Sequence, residues 1–217
     1  MTKKLFWDDP YLTACKAQVT SLEGNKIKID QTIFYAFSGG QESDDGTIGG
    51  MKVVQAVKQG DRENIIDIEY ELEQEPPFRV GDEVEINIDG EKRLKLMKLH
   101  SAVHLAYFFI TEKFGTMKIL GSNITPEKSR VDFESAKPLT ELNDVETKLN
   151  AFLAEHHPIV RTRDEKSPDL LWWQCAQWKM PCGGTHPRNT SEIGKLRLKR
   201  VGKGTEKERV EIYLKQP

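Results

Sequence analysis

The hydrophobic pattern changes period at Asp89-Gly90, and that change limits the folds open to the chain more than any other feature. Before it, apolar and polar residues alternate, as in Lys26-Ile27-Lys28-Ile29 and Val84-Glu85-Ile86-Asn87-Ile88. Alternation places the apolar side chains on one face of a strand. It predicts strands over 14–22, 26–29, 51–58, 64–70 and 83–88. Glu23-Gly24-Asn25, Gly60-Asp61 and Arg79-Val80-Gly81-Asp82 carry the turn chemistry between them. Pro76-Pro77 belongs in a loop, because proline cannot donate to a ladder. Short strands with frequent turns are the pattern of a small closed β-barrel.

Beyond Asp89-Gly90, Leu94, Met97, Ala102, Leu105, Phe108 and Phe109 recur at about helical intervals, which predicts a helix over 91–113. Leu142, Val145, Leu149, Phe152 and Leu153 form a stripe on a second helix, over 139–156. Strands are expected at 118–120, 130–133, 159–162, 192–199 and 208–214. Helices mixed with strands in this way indicate an α+β layer. The expected fold is therefore α+β in two units: residues 1–90 as the small barrel and residues 91–217 as the mixed layer.

Charge divides at the same place. The chain has 32 Lys and Arg against 34 Asp and Glu, a net −2. Residues 1–90 carry −9 and residues 91–217 carry +7. An asymmetry of this size points to units with different electrostatic roles, and the near-neutral whole conceals a half suited to a polyanion. The apolar run from Ala102 to Ile110 is broken by His104 and falls far short of the ~18 residues a membrane span needs, so no membrane partner is expected. The opening MTKKLFWDDP lacks the apolar stretch of a secretory signal. Three cysteines, Cys15, Cys175 and Cys182, are too few for a disulfide framework, and a reducing cytoplasm is the expected compartment.

His100 and His104 stand four apart on the first expected helix, which puts both imidazoles on one face, a turn apart. Ser101 follows the first of them where a zincin protease has its Glu, so that chemistry is disfavoured. Cys182-Gly183-Gly184-Thr185-His186 supplies a second pair, with glycines that let the backbone wrap an ion and Pro181 and Pro187 on either side. Three His and one Cys suit a single Zn2+. Four protein ligands normally mark a structural ion, whereas catalysis needs an open or exchangeable position, and both readings stand at this level.

The two pairs resemble the paired zinc motif of alanyl-tRNA editing domains. Phe34-Tyr35-Ala36-Phe37-Ser38-Gly39-Gly40-Gln41 is similar to the glycine-rich motif upstream of that site in alanyl-tRNA synthetases. The stretch from Gly121-Ser122 to Arg130-Val131-Asp132-Phe133 and the segment Asn189-Thr190-Ser191-Glu192-Ile193-Gly194 resemble further family motifs, in family order. The similarity spans roughly residues 30–215 with no aminoacylation domain before it. On these motifs the sequence is identified as a member of the freestanding, AlaX-type alanyl-tRNA editing proteins, in their medium-length form. The resemblance implies a barrel similar to those of translation elongation factors, then a domain similar to the second additional domain of threonyl-tRNA synthetase. It implies one Zn2+ per chain on His100, His104, Cys182 and His186, and hydrolysis of tRNA(Ala) mischarged with serine or, in some members, glycine. In the synthetases a Gln commonly stands two residues before the matching Gly-Ser, but here the residue is Ile119, so another group must meet the serine hydroxyl.

No carboxylate stands beside the ligands as an obvious base. Thr125 and Thr185 are the polar groups expected to orient water or substrate, and each fits a turn cap equally well. Lys195, Arg197, Lys199, Arg200 and Lys203 are candidates for tRNA phosphates, or else a solvated strand of alternating charge. Gly39, Gly40 and Gln41 are further candidates for substrate contact. Of Trp172, Trp173 and Trp178, at least two are expected in the core rather than stacked on a terminal adenine. The expected partner is mischarged tRNA(Ala), met by a monomer or weak dimer. The competing readings are an RNA-binding module stapled by zinc without turnover, a metallohydrolase of other substrates, and an esterase acting through Gly39-Gly40-Gln41. Glu42, Asp44 and Asp45 beside that tripeptide would repel RNA, which favours a packing role for it.

Overall fold

Alternating residues form strands in the first half, and their apolar faces turn toward one another. The computed structural model describes residues 1–60, 65–167, 170–202, 204 and 206–215. In chain order the first strands are β1 (Lys3–Lys4), β2 (Ala14–Glu23), β3 (Lys26–Ile29), β4 (Gln31–Thr32), β5 (Gly46–Ile48), β6 (Met51–Gly60), β7 (Ile65–Leu72) and β8 (Glu83–Ile88). β1 lies parallel to β4. The other six pair antiparallel in the order β2-β3-β7-β6-β5-β8, and β8 returns to β2, so the sheet closes on itself as a ring. Val19, Ile27, Ile29, Ile68, Tyr70, Leu72, Val84 and Ile86 are buried in it. Asn64 and Asp61, in the expected strand and turn, lie outside the described residues. β1, β4 and β5 are too short for alternation to reveal them.

A single long helix, α1 (Gly90–Phe114), joins the halves. Asp89 caps it by accepting from the Lys92 amide at 2.9 Å, and Gly115, at φ 88°, ends it. One expected core position is wrong: Leu94 is exposed, and Arg93 is buried beside it. Arg93 faces inward because Asp44 takes its Nε at 2.8 Å and its Nη2, while the carbonyls of Pro10 and Ile33 accept from Nη1 and Nη2. A buried guanidinium is tolerated when it is matched in this way.

The second half continues with β9 (Ile119–Ile124), β10 (Ser129–Glu134), α2 (Leu142–Leu153), β11 (Ile159–Arg163), β12 (Leu171–Cys175), β13 (Trp178–Pro181), β14 (Leu196–Gly202) and β15 (Lys207–Leu214). These make an antiparallel sheet, β14-β15-β10-β9, and a smaller one, β11-β12-β13. Both helices pack on the larger sheet around Leu99, Leu105, Ile110, Val131, Phe133, Val145, Leu149, Trp173, Val210 and Ile212. α2 is shorter than expected: Glu141, at φ 56°, stands just before its first turn, and the helix ends at Leu153, ahead of His156 at φ 60°. The strand expected at 192 begins at Leu196, since Thr190–Glu192 form a short turn of helix closed by an Asn189/Glu192 capping box. The architecture is thus α+β, mostly sheet with two helices. No helix among the described residues is long and apolar enough to cross a membrane.

The glycine-rich loop ties the ring to the larger sheet. Gln41 bridges Ile124 in parallel, and the Ile124 amide donates to the Gly40 carbonyl at 2.7 Å. Gly40 has φ 87°, and a Cβ there would stand 2.6 Å from the Ser122 carbonyl oxygen, so this position requires glycine.

Candidate metal centre

α1 and the loop after β13 bring the four expected ligands to one point. Their donor atoms all lie within 4.8 Å of one another. Cys182 Sγ stands 3.4 Å from His100 Nε2 and 3.3 Å from His186 Nε2. The His104 ring lies 4.7 Å from that of His100 and 4.9 Å from that of His186, with Trp173 edge-on against it at 4.9 Å. The loop reaches this depth because of Gly184: a Cβ there would meet His100 Cε1 at 2.1 Å. Trp7 Nε1 donates to the Gly183 carbonyl at 2.9 Å, so the chain's first turn holds the loop from outside.

Behind the ligands lies a second layer that orients them. Gln41 Oε1 accepts from His100 Nδ1 at 2.7 Å and from the Thr185 amide at 3.0 Å, while Gln41 Nε2 donates to Thr185 Oγ1 at 2.9 Å. A carbonyl oxygen can only accept, so the His100 proton sits on Nδ1 and Nε2 keeps its lone pair. His186 Nδ1 is 2.9 Å from Ser101 Oγ, which turns the ring so that Nε2 faces Cys182. His104 Nδ1 is buried with no hydrogen-bond partner among the described residues. Oriented imidazoles, a nearby sulfur and an unsatisfied ring nitrogen fit a thiophilic divalent cation.

The electrostatics agree. Burial lowers all three imidazoles, His104 to about 3; the neighbouring charges of His104 and Arg161 press His100 down further. His186 is lowered by burial and by His100, His104 and Arg161. All three are neutral at pH 7, the form that binds metal. Burial pushes the Cys182 thiol up to about 11, against the Gly184 amide, Arg161 and Lys58. A coordinated cation reverses that preference and displaces the thiol proton.

The other sequence candidates scatter. Thr185 belongs to the centre through Gln41. Thr125 caps the turn from β9 to β10, receiving the Glu127 and Lys128 amides. Gly39 lines a pocket of about 120 Å3 against His100 and His104, whereas Gly40 and Gln41 serve packing and ligand orientation. Lys195, Arg197 and Lys199 are exposed, and the last two alternate with buried Leu196 and Leu198 on β14. Arg200 faces the other way and grips Glu208 at 2.5 and 2.7 Å. Lys203 lies outside the described residues. Trp173 and Trp178 are buried, while Trp172 donates to Asp164 at 3.0 Å. Ser101, Trp7, Arg93 and Asp44 went unrecognised. Of these only Ser101 left a signal, as the small polar residue beside a ligand on a helix.

Comparison with known proteins places this geometry. The family model of class II (A) tRNA synthetases matches residues 10–92, and that of the threonyl and alanyl tRNA synthetase second additional domain matches residues 168–211. The alanine–tRNA ligase of Sulfurisphaera tokodaii is 31% identical over 93% of this chain, which spans only 25% of the ligase. The alanyl-tRNA editing protein AlaX-M of Saccharolobus solfataricus is 30% identical over 99% of the chain and 100% of its own length. The AlaX-M protein of Pyrococcus horikoshii is 35% identical over 99% of the chain and 98% of its own length. With relatives matched end to end and the four ligands assembled, this chain belongs to the AlaX-M family of alanyl-tRNA editing proteins.

Proposed function

We propose that the protein is a zinc-dependent hydrolase that deacylates Ser-tRNA(Ala), and Gly-tRNA(Ala) with less selectivity, acting in trans in the cytoplasm. The observation that carries this reading is the 120 Å3 pocket lying directly against His100 and His104. It is walled by Val103, Tyr107, Ile119, Ile124, Val131 and Met180, with Ser122 as a polar residue among them. A space this small takes a short aminoacyl side chain. Ser122 Oγ makes only a long 3.4 Å bond to the Gly39 carbonyl, so it is free to exchange that partner for a serine hydroxyl. Ser122 therefore answers the absence of a Gln at Ile119.

Bound zinc supplies Lewis acidity to the ester carbonyl and lowers the pKa of water toward ~7. Gln41 holds His100 in the tautomer that faces it, and Ser101 orients the His186 ring. Thr185 Oγ1 accepts from Gln41 Nε2 and keeps its own proton to orient water or substrate at the edge of the centre. Residues 1–90 form the barrel unit and residues 91–217 the editing unit, with Lys195, Arg197 and Lys199 offered to tRNA phosphates.

His104→Ala tests this reading. Zinc content and Ser-tRNA(Ala) deacylation should fall together. Undiminished deacylation by a metal-free His104→Ala protein would overturn it. Tight tRNA binding by the zinc-loaded wild type without turnover would instead leave a zinc-stapled RNA-binding module.

A further inference from the structure

A cleft of about 610 Å3 runs between the loop that follows β4 and strand β6. Phe37 lines it, and two residues further on Gly39 lines the small pocket against His100 and His104. The two spaces therefore flank one short loop.

The charges lining the cleft are unevenly matched. Asp44 is held by Arg93, Asp45 stands 2.9 Å from Lys92, and Glu42 faces the same amine at 4.0 Å. Lys58 has no ion pair or hydrogen bond among the described residues; its Nζ lies 4.5 Å over the Tyr35 ring. Lys58 therefore brings to the cleft an amine that no carboxylate among the described residues pairs with, an arrangement that favours an incoming anion. Burial lowers the Lys58 amine to about 8, which still leaves it mostly charged at pH 7.

Phe37 adds an aromatic surface. It is 58% exposed between buried Ala36 and a pinned backbone, its amide donating to Ser43 Oγ at 2.8 Å. An exposed ring and an unpaired amine lining the same cleft suit one ligand class, a nucleotide with a planar base and a phosphodiester.

We propose that this cleft seats the 3′-terminal nucleotide of the substrate, with Phe37 stacked on the base and Lys58 against its phosphodiester. This rests on the reading of the protein as an aminoacyl-tRNA deacylase, whose ester then lies one ribose away from the base.

The test compares wild type, Phe37→Ala, Phe37→Trp and Lys58→Gln, all zinc-loaded, on 3′-O-seryl adenosine and on the 3′-O-seryl ester of the dinucleotide CpA. Lys58→Gln should raise KM for the CpA ester about tenfold more than for the adenosine ester. It should also flatten the log–log salt dependence of uncharged CpA binding by about 0.7, the signature of one lost single-strand phosphate contact. Phe37→Ala should raise KM for both esters about tenfold, near the low end of a base–aromatic stack, and Phe37→Trp should restore it. An equal effect of Lys58→Gln on both esters, an unchanged salt slope, or wild-type KM values in Phe37→Ala would overturn the assignment. If the wild type hydrolyses neither ester nor Ser-tRNA(Ala), the deacylase reading fails by itself, and CpA binding still decides the cleft. Binding weakened by both variants sustains a nucleotide seat; binding absent or indifferent to both removes it.

Discussion

Replacing Gln41 with Ala separates two roles for the Gly39-Gly40-Gln41 segment. The side chain is fully buried and makes three hydrogen bonds, to His100 Nδ1, the Thr185 amide and Thr185 Oγ1. Its loss leaves two buried N–H donors unsatisfied, at about 1–3 kcal/mol each, with water entering the gap to recover part of that. We expect the metal-free protein to lose about 2–5 kcal/mol, which at roughly 2–4 °C per kcal/mol for a domain of this size lowers Tm by about 4–20 °C. Removing the group that fixes a ligand's tautomer weakens metal binding about 10–100-fold. The assay is a zinc titration against a competing chelator, with deacylation of Ser-tRNA(Ala) followed across the same zinc range. Activity should return as zinc saturates the variant. Gln41→Glu should lie close to wild type, because a carboxylate still accepts from His100 and Thr185. Unchanged zinc affinity with activity lost at saturating zinc would mean that Gln41 acts on the ester itself, and the positioning role would be refuted.

Three other perturbations probe separate links. Gly184→Ala should lower zinc affinity and cost about 1–3 kcal/mol in urea denaturation, since a Cβ 2.1 Å from His100 Cε1 must displace the ring or the loop. Asp44→Asn strands the buried Arg93 cation and should cost about 3–5 kcal/mol by the same measurement, with much of the loss recovered in the Asp44→Asn, Arg93→Met double variant. The Arg200 guanidinium and the Leu139 amide, working against burial, hold the Glu208 carboxyl below its ordinary 4.5. A carboxyl depressed in the folded state stabilises above its unfolded pKa, and that contribution is lost as pH falls through the folded value. Glu208→Gln should therefore lower Tm at pH 7 and flatten its fall below about pH 4.5, in a thermal melt series.

Much of this was legible because period and burial coincide. β2, β3, β6 and β8 lie within two residues of where alternation places them, since each has one face buried and one exposed. The hairpin β12-β13 was invisible for a physical reason. Its turn is Ala176-Gln177, with Ala176 at φ 48°, and carries no Gly or Asn to announce it. β9 runs beyond the expected 118–120, because tertiary pairing with β10 draws Gly121-Ser122-Asn123 into the sheet. The cluster of His100, His104, Cys182 and His186 was legible from spacing because a helix face and a glycine-rich loop are local devices. Gln41 and Ser101 were not legible as their supports, since each acts across 59 and 85 residues of chain on His100 and His186. Arg197 and Arg200 looked equivalent as charges, and an odd separation on one strand puts them on opposite faces.

The most direct test of the proposed chemistry is parallel deacylation of Ser-tRNA(Ala), Gly-tRNA(Ala) and Ala-tRNA(Ala), with zinc quantified in the same sample. A buried group that must bond a hydroxyl disfavours the analogue lacking it by as much as ~10^4–10^5, whereas one methyl is worth only about 1–3 kcal/mol. The expected result is one zinc per chain, rapid hydrolysis of the serine ester, slower and less selective hydrolysis of the glycine ester, and a spared alanine ester. Equal rates on the serine and alanine esters, or full serine hydrolysis with no zinc in the protein, would contradict it.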